Sequence, residues 1–113
     1  MTGQTPLSDT PPWKVSALTL FPDMFPGVLG QSLAGKALQA GIWSLEVTDI
    51  RSFGVGVHKK VDDPPFGGGP GMLMRPDVMA AAIDQAAKTM AADTTRIYLS
   101  PRGKPMDQAL VRD

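Results

Sequence analysis

Two stretches of the chain alternate between apolar and polar positions. Trp13, Val15, Ala17, Thr19 and Phe21 alternate with Lys14, Ser16, Leu18 and Leu20, which predicts a strand over Trp13–Phe21. Its second half is apolar on both sides, as expected of a strand covered on both faces. Pro22 cannot donate to a ladder and ends it. Ile42–Ile50 alternates in the same way and predicts a second strand. Between them, Asp23 suits the start of a short helix that Pro26 and Gly27 keep short. Ser32 suits the N-cap of a longer one carrying Leu33, Ala37 and Leu38, with Gly41 as its stop.

Further on, the period changes to that of a helix. Arg75-Pro76-Asp77 opens it, with proline at the first helical position and a carboxylate at the positive end. Met79, Ala82, Ile83, Ala86 and Met90 then fall on one face. Thr95–Ser100 predicts a third strand, Pro101–Lys104 a turn, and Pro105-Met106-Asp107-Gln108 the opening of a last helix. Strands alternating with helices predict an α/β fold, with a mainly parallel sheet flanked by helices and right-handed crossovers. Trp13, Phe21 and Trp43 are expected in its core. Residues 1–12 are polar and proline-containing and are expected to form a disordered leader, leaving 13–113 as one domain.

Composition narrows the chemistry. With 113 residues and 42% hydrophobic content, the chain suffices for one domain and not two. It has no Cys, which excludes thiol catalysis and disulfides, and a single His, which argues against a histidine metal cluster or a Ser–His–Asp triad. Eleven basic residues balance eleven acidic ones, so charge alone does not mark a nucleic-acid binder. No apolar run has membrane-spanning length, and the N-terminus lacks the pattern of a signal peptide, so a cytoplasmic location is the default expectation.

The segment 51–75 shows no helical period, and half the positions from Gly54 to Gly71 are Gly or Pro. Loops this long are often functional. Gly67, Gly68, Gly69, Pro70, Gly71 and Met72 form its densest part, and three consecutive glycines allow positive φ and close approach of a ligand or another chain. No Gly-Lys-Ser/Thr follows, so this is not a phosphate-gripping loop, and a small nucleotide-binding protein is disfavoured. Asp62-Asp63 beside Lys59-Lys60 reads either as a cation or pKa-tuning site or as a solvated charged face. Phe66 is a candidate anchor into a neighbouring surface. Tyr98-Leu99-Ser100-Pro101 lies at the carboxyl end of a predicted strand, where open α/β sheets collect ligands, and its main chain could bind an adenine edge.

Together these segments resemble the bacterial tRNA (guanine-N1)-methyltransferase family. The resemblance rests on Leu20-Phe21-Pro22-Asp23-Met24-Phe25, Gly35-Lys36-Ala37, Val61-Asp62-Asp63, Gly67 through Met74, and Tyr98 to Gly103, in that order. It implies a SPOUT-class enzyme with a trefoil knot, working as a homodimer. Such an enzyme transfers a methyl group from S-adenosylmethionine to N1 of the guanine 3′ of the tRNA anticodon. It implies cofactor contacts at Tyr98, Leu99, Ser100 and Pro101, and places Asp62 and the Gly67–Met72 loop near a dimer-built active site. Pro64 and Phe66 depart from the family pattern, which often has Arg and Tyr there. The resemblance further implies that this chain is an N-terminal part, inactive alone, with the knot and general base beyond Asp113. The alternative is a non-catalytic α/β module that binds a partner through the Gly-rich loop.

Overall fold

The computed structural model describes residues 13–112. The expected leader, residues 1–12, lies outside the described residues. Strand β1 (Trp13–Thr19) and strand β2 (Trp43–Asp49) pair in parallel, from Trp13 opposite Trp43 to Thr19 opposite Asp49. Helix α1 (Ser32–Gln39) lies on the crossover between them, after two short 3-10 turns at Pro22–Met24 and Gly27–Gly30. Gly41, at φ 79°, turns the chain out of α1, as the sequence predicts. Ser32 is not the N-cap. Gln31 holds that position in extended backbone, while Ser32 sits at φ 55° and its side chain caps nothing.

The long segment after β2 is more ordered than its composition predicts. A 3-10 turn at Ile50–Phe53 leads to a bridge between Val55 and Lys60. Two further strands, β3 (Asp62–Asp63) and β4 (Leu73–Met74), then pair antiparallel. Helix α2 (Pro76–Ala87) follows with Pro76 at its first position and Arg75 as N-cap.

The even-numbered face of β1 turns toward α2. There Ile50, Val61, Val78 and Ala82 form the buried core, with Leu18, Leu20, Phe53 and Met79 packed against it. Val78 and Ala82 are one helical turn apart and point the same way. The sequence face that begins at Met79 therefore starts one residue late, although Ala82, Ile83, Ala86 and Met90 are all at least partly buried. A polar seam finishes this contact. Lys14 Nζ donates to the Thr89 carbonyl at 2.6 Å, and Thr89 Oγ1 donates to Glu46 at 2.6 Å.

Three expectations are corrected. The parallel sheet has two strands among the described residues, and the other ladder is a separate antiparallel pair. Thr95–Ser100 makes no backbone ladder among the described residues and is not a third strand there. Trp13 is 73% exposed and Phe21 is exposed as well, so neither end of the odd-numbered face is closed over among the described residues. The last helix, α3 (Gln108–Arg112), begins three residues later than predicted. It begins where Asp107 Oδ1 accepts from the Leu110 amide at 2.8 Å. Among the described residues no helix is long and apolar enough to cross a membrane.

Candidate functional site

The Gly-rich segment is an arm closed at its base by β3 and β4. Asp62 faces Met74 and Asp63 faces Leu73 across the ladder. Gly67, Gly68, Gly69 and Gly71 all have φ between 86° and 104°. That region costs an ordinary residue roughly 1–2 kcal/mol, which is why glycine recurs here. The Gly68 amide donates to the Pro65 carbonyl at 3.0 Å, tightening the turn. Phe66 is fully exposed at the tip and touches no neighbouring surface among the described residues, so the anchoring role it suggested is not realised within this chain.

Arg75 joins the arm to α2. Its guanidinium donates to Asp77 from Nε at 3.0 Å and from Nη2 at 2.9 Å, and Nη1 reaches Asp63 at 3.1 Å. Lys60 Nζ lies 3.4 Å from Asp63 on the other side. The Arg75 amide also donates to the Val61 carbonyl at 2.8 Å. Hydrogen bonding to Asp77 raises the Arg75 pKa, and the same bond holds the Asp77 carboxyl below its ordinary value. Asp63 is thus tied into an ion-pair network. Asp62 is half-buried and its side chain makes no hydrogen bond or ion pair among the described residues, so it is the carboxylate left available. Sequence reading placed Arg75 only at a helix start. Its two-residue spacing to Asp77 is the signal the sequence offers, and the pairing with Asp63 is not visible there.

Tyr98 and Leu99 are each 87% exposed, and Pro101 is exposed too. Their segment leads into a turn in which the Ser100 carbonyl accepts from the Gly103 amide at 3.0 Å and Ser100 Oγ from the Arg102 amide at 3.2 Å. The main-chain groups of Tyr98 and Leu99 make no hydrogen bond among the described residues. An open N–H and C=O pair beside apolar side chains fits the edge of an adenine, which offers one acceptor and one donor side by side. No hydrogen bond or ion pair joins Tyr98–Pro101 to Asp62–Met72 among the described residues.

A third feature carries no motif in the sequence. On the odd-numbered sheet face a cleft of about 560 Å³ opens between the strands and the α1 side. Trp13, Val15 and Ala17 of β1 and Trp43 and Leu45 of β2 form its floor, and Phe25, Leu29 and Ala34 its wall. Trp43 Nε1 is already satisfied by the Ala34 carbonyl at 3.0 Å.

The family described as tRNA (Guanine-1)-methyltransferase TrmD matches residues 13–113. A tRNA (guanine-N(1)-)-methyltransferase of Ruegeria pomeroyi is 58% identical over 100 residues, covering 88% of this chain and 41% of its own length. A protein of the same name from Rhodospirillum rubrum is 60% identical over 96 residues, covering 85% and 39%. A third, from Jannaschia, is 57% identical over 99 residues, covering 85% and 40%. The chain thus spans about two fifths of the length of the curated relatives it matches.

Proposed function

The chain belongs to the tRNA (guanine-1)-methyltransferase family, and from that premise we propose that it supplies the cofactor turn and the substrate arm of an enzyme methylating N1 of the guanine 3′ of the tRNA anticodon. The observation that carries this reading is the match over residues 13–113, which includes both the arm and the turn. The methyl donor is S-adenosylmethionine, whose sulfonium supplies an already activated methyl group when bound. Tyr98 and Leu99 hold the adenine edge through their free main-chain groups, with Ser100 and Pro101 shaping the turn.

Guanine N1 carries a proton at neutral pH and is a poor nucleophile until a base removes it. No residue of this chain is assigned as that base. The part of the chain is to position. The glycines at Gly67–Gly69 and Gly71 let the backbone of the arm approach a flat base without side-chain obstruction. Asp62, free of ion pairs among the described residues, stands at the root of that arm, where its carboxylate can accept from a guanine donor edge. The guanine is reached in an unstacked anticodon loop, where its Watson–Crick edge is open. The active unit is a homodimer, and the arm is the element that meets the partner's site. This chain alone binds cofactor weakly and transfers no methyl group.

The test joins this chain to the part of the Ruegeria pomeroyi relative outside the matched stretch, and supplies labelled S-adenosylmethionine and tRNA. Label on N1 of the guanine 3′ of the anticodon, with none from the 113-residue chain alone, supports the proposal. Label on another atom, or full activity of the short chain, contradicts it.

A further inference from the structure

Between Asp49 and Asp62 the chain carries Arg51, His58, Lys59 and Lys60 and no acidic residue, although its charges balance overall. We propose that this stretch is a phosphate-holding turn, on which Lys59, with Arg51 and His58, grips the backbone of the tRNA beside the guanine that the arm approaches. The proposal deepens the function given above and rests on its choice of tRNA as substrate.

The turn is built and not merely basic. The Val55 amide donates to the Lys60 carbonyl at 2.8 Å and the Lys60 amide to the Val55 carbonyl at 2.9 Å, and inside this closure the Lys59 amide donates to the Gly56 carbonyl at 3.2 Å. Lys59 sits at φ 52°, a left-handed conformation that residues other than glycine seldom take and that gathers at functional sites. Gly54 braces it from behind, since a Cβ there would lie 2.3 Å from the Lys59 carbonyl carbon. A lysine that only meets solvent needs no such support. Arg51, His58 and Lys59 are exposed, and their side chains make no hydrogen bond or ion pair among the described residues.

The flanking acids fix the kind of partner. Asp49 accepts from the Arg51 amide at 2.9 Å, and Asp63 lies between Lys60 at 3.4 Å and Arg75 at 3.1 Å, so both are already engaged. Asp62 is not, and it follows Lys59 by three residues. An acidic peptide or an anionic lipid surface would be repelled by that carboxylate. An RNA segment offers a phosphate to the turn and a base donor edge to Asp62, and so complements both signs.

Filter binding of tRNA over a series of salt concentrations tests this, using the chain joined to the remainder of the Ruegeria pomeroyi relative. Lys59→Gly removes the charge and suits the left-handed backbone, so it spares the fold. It should weaken tRNA binding several-fold and lower the slope of log affinity against log salt by about one. Lys59→Arg should keep both. Lys88→Gln should change neither, because Lys88 is exposed and lies about 20 Å along the α2 axis from Arg75. Unchanged affinity and slope in Lys59→Gly would overturn the proposal, and so would an equal loss in Lys88→Gln, which would make the attraction diffuse. Unchanged tRNA binding with lost binding to phosphatidylserine vesicles would also overturn it, with a lipid surface as the partner. Methyl transfer to another atom, with the slope change intact, would strike the catalytic reading and leave this one standing.

Discussion

Arg75 grips Asp77 at two points, Nε to Oδ1 at 3.0 Å and Nη2 to Oδ2 at 2.9 Å, while its third nitrogen reaches back to Asp63. One planar group thereby fixes the start of α2 and the root of the Gly-rich arm together. Lysine carries the same charge and lacks the fork. Arg75→Lys should leave the β1–β2 sheet intact and speed amide hydrogen exchange across the β3–β4 ladder several-fold. Equal exchange in the two proteins would mean the clamp does not hold the arm.

The clamp also sets a pH dependence. Asp77 has a folded pKa below its ordinary value, chiefly through the Arg75 bond and also through the Val78 amide, which donates to it at 2.9 Å. A lowered carboxylate pKa stabilises the fold above the ordinary value, about 4, and that gain is lost as pH falls through the folded value. Arg75 is raised and stays cationic throughout that range. Acid titration of stability should therefore show a smaller loss below about pH 4 for Asp77→Asn than for the unaltered chain. Parallel curves would refute the assignment.

Gly35 is closed to any side chain by a different cause. A Cβ there would collide with the Gly30 carbonyl group, because α1 packs directly on the 3-10 turn at Gly27–Gly30. Gly35→Ala should push that turn away and lower the melting temperature measurably. Gly67→Ala meets open space and suffers only from its φ of 86°, so it should cost roughly 1 kcal/mol. Thermal unfolding of the two variants separates steric from conformational glycine. A larger loss for Gly67→Ala would reverse that reading.

The buried core is small, and Val78 is its most enclosed large side chain. Val78→Ala removes two methyl-sized groups and leaves a cavity between Ile50, Val61 and the helix, which should destabilise by roughly 2 kcal/mol. Urea unfolding checks this through a lower midpoint with an unchanged slope.

The sequence disclosed the elements whose signals are local. Alternation marked β1 and β2, Pro76 marked the start of α2, and Gly41 the end of α1. It failed where structure depends on pairing. Thr95–Ser100 has a strand's alternation but no ladder partner among the described residues. β3 and β4 are two residues each, too short to show a period of two, so the arm read as loop. Trp13 and Phe21 looked like core because hydrophobicity shows what could be buried and not what is available to bury it. At the candidate site the glycines and Tyr98–Pro101 were visible as motifs. The Arg75 clamp was hidden, because it joins charges from a hairpin that was itself unseen.

In the proposed enzyme the main chain of Tyr98 and Leu99 holds the adenine of the methyl donor. The most direct test is nuclear magnetic resonance of the isotope-labelled chain, joined to the remainder of the Ruegeria pomeroyi relative and titrated with S-adenosylmethionine. The amide signals of Tyr98 to Arg102 should be among those that shift most, saturating together with methyl-donor binding measured by calorimetry. Saturable binding that leaves those amides unmoved would contradict it.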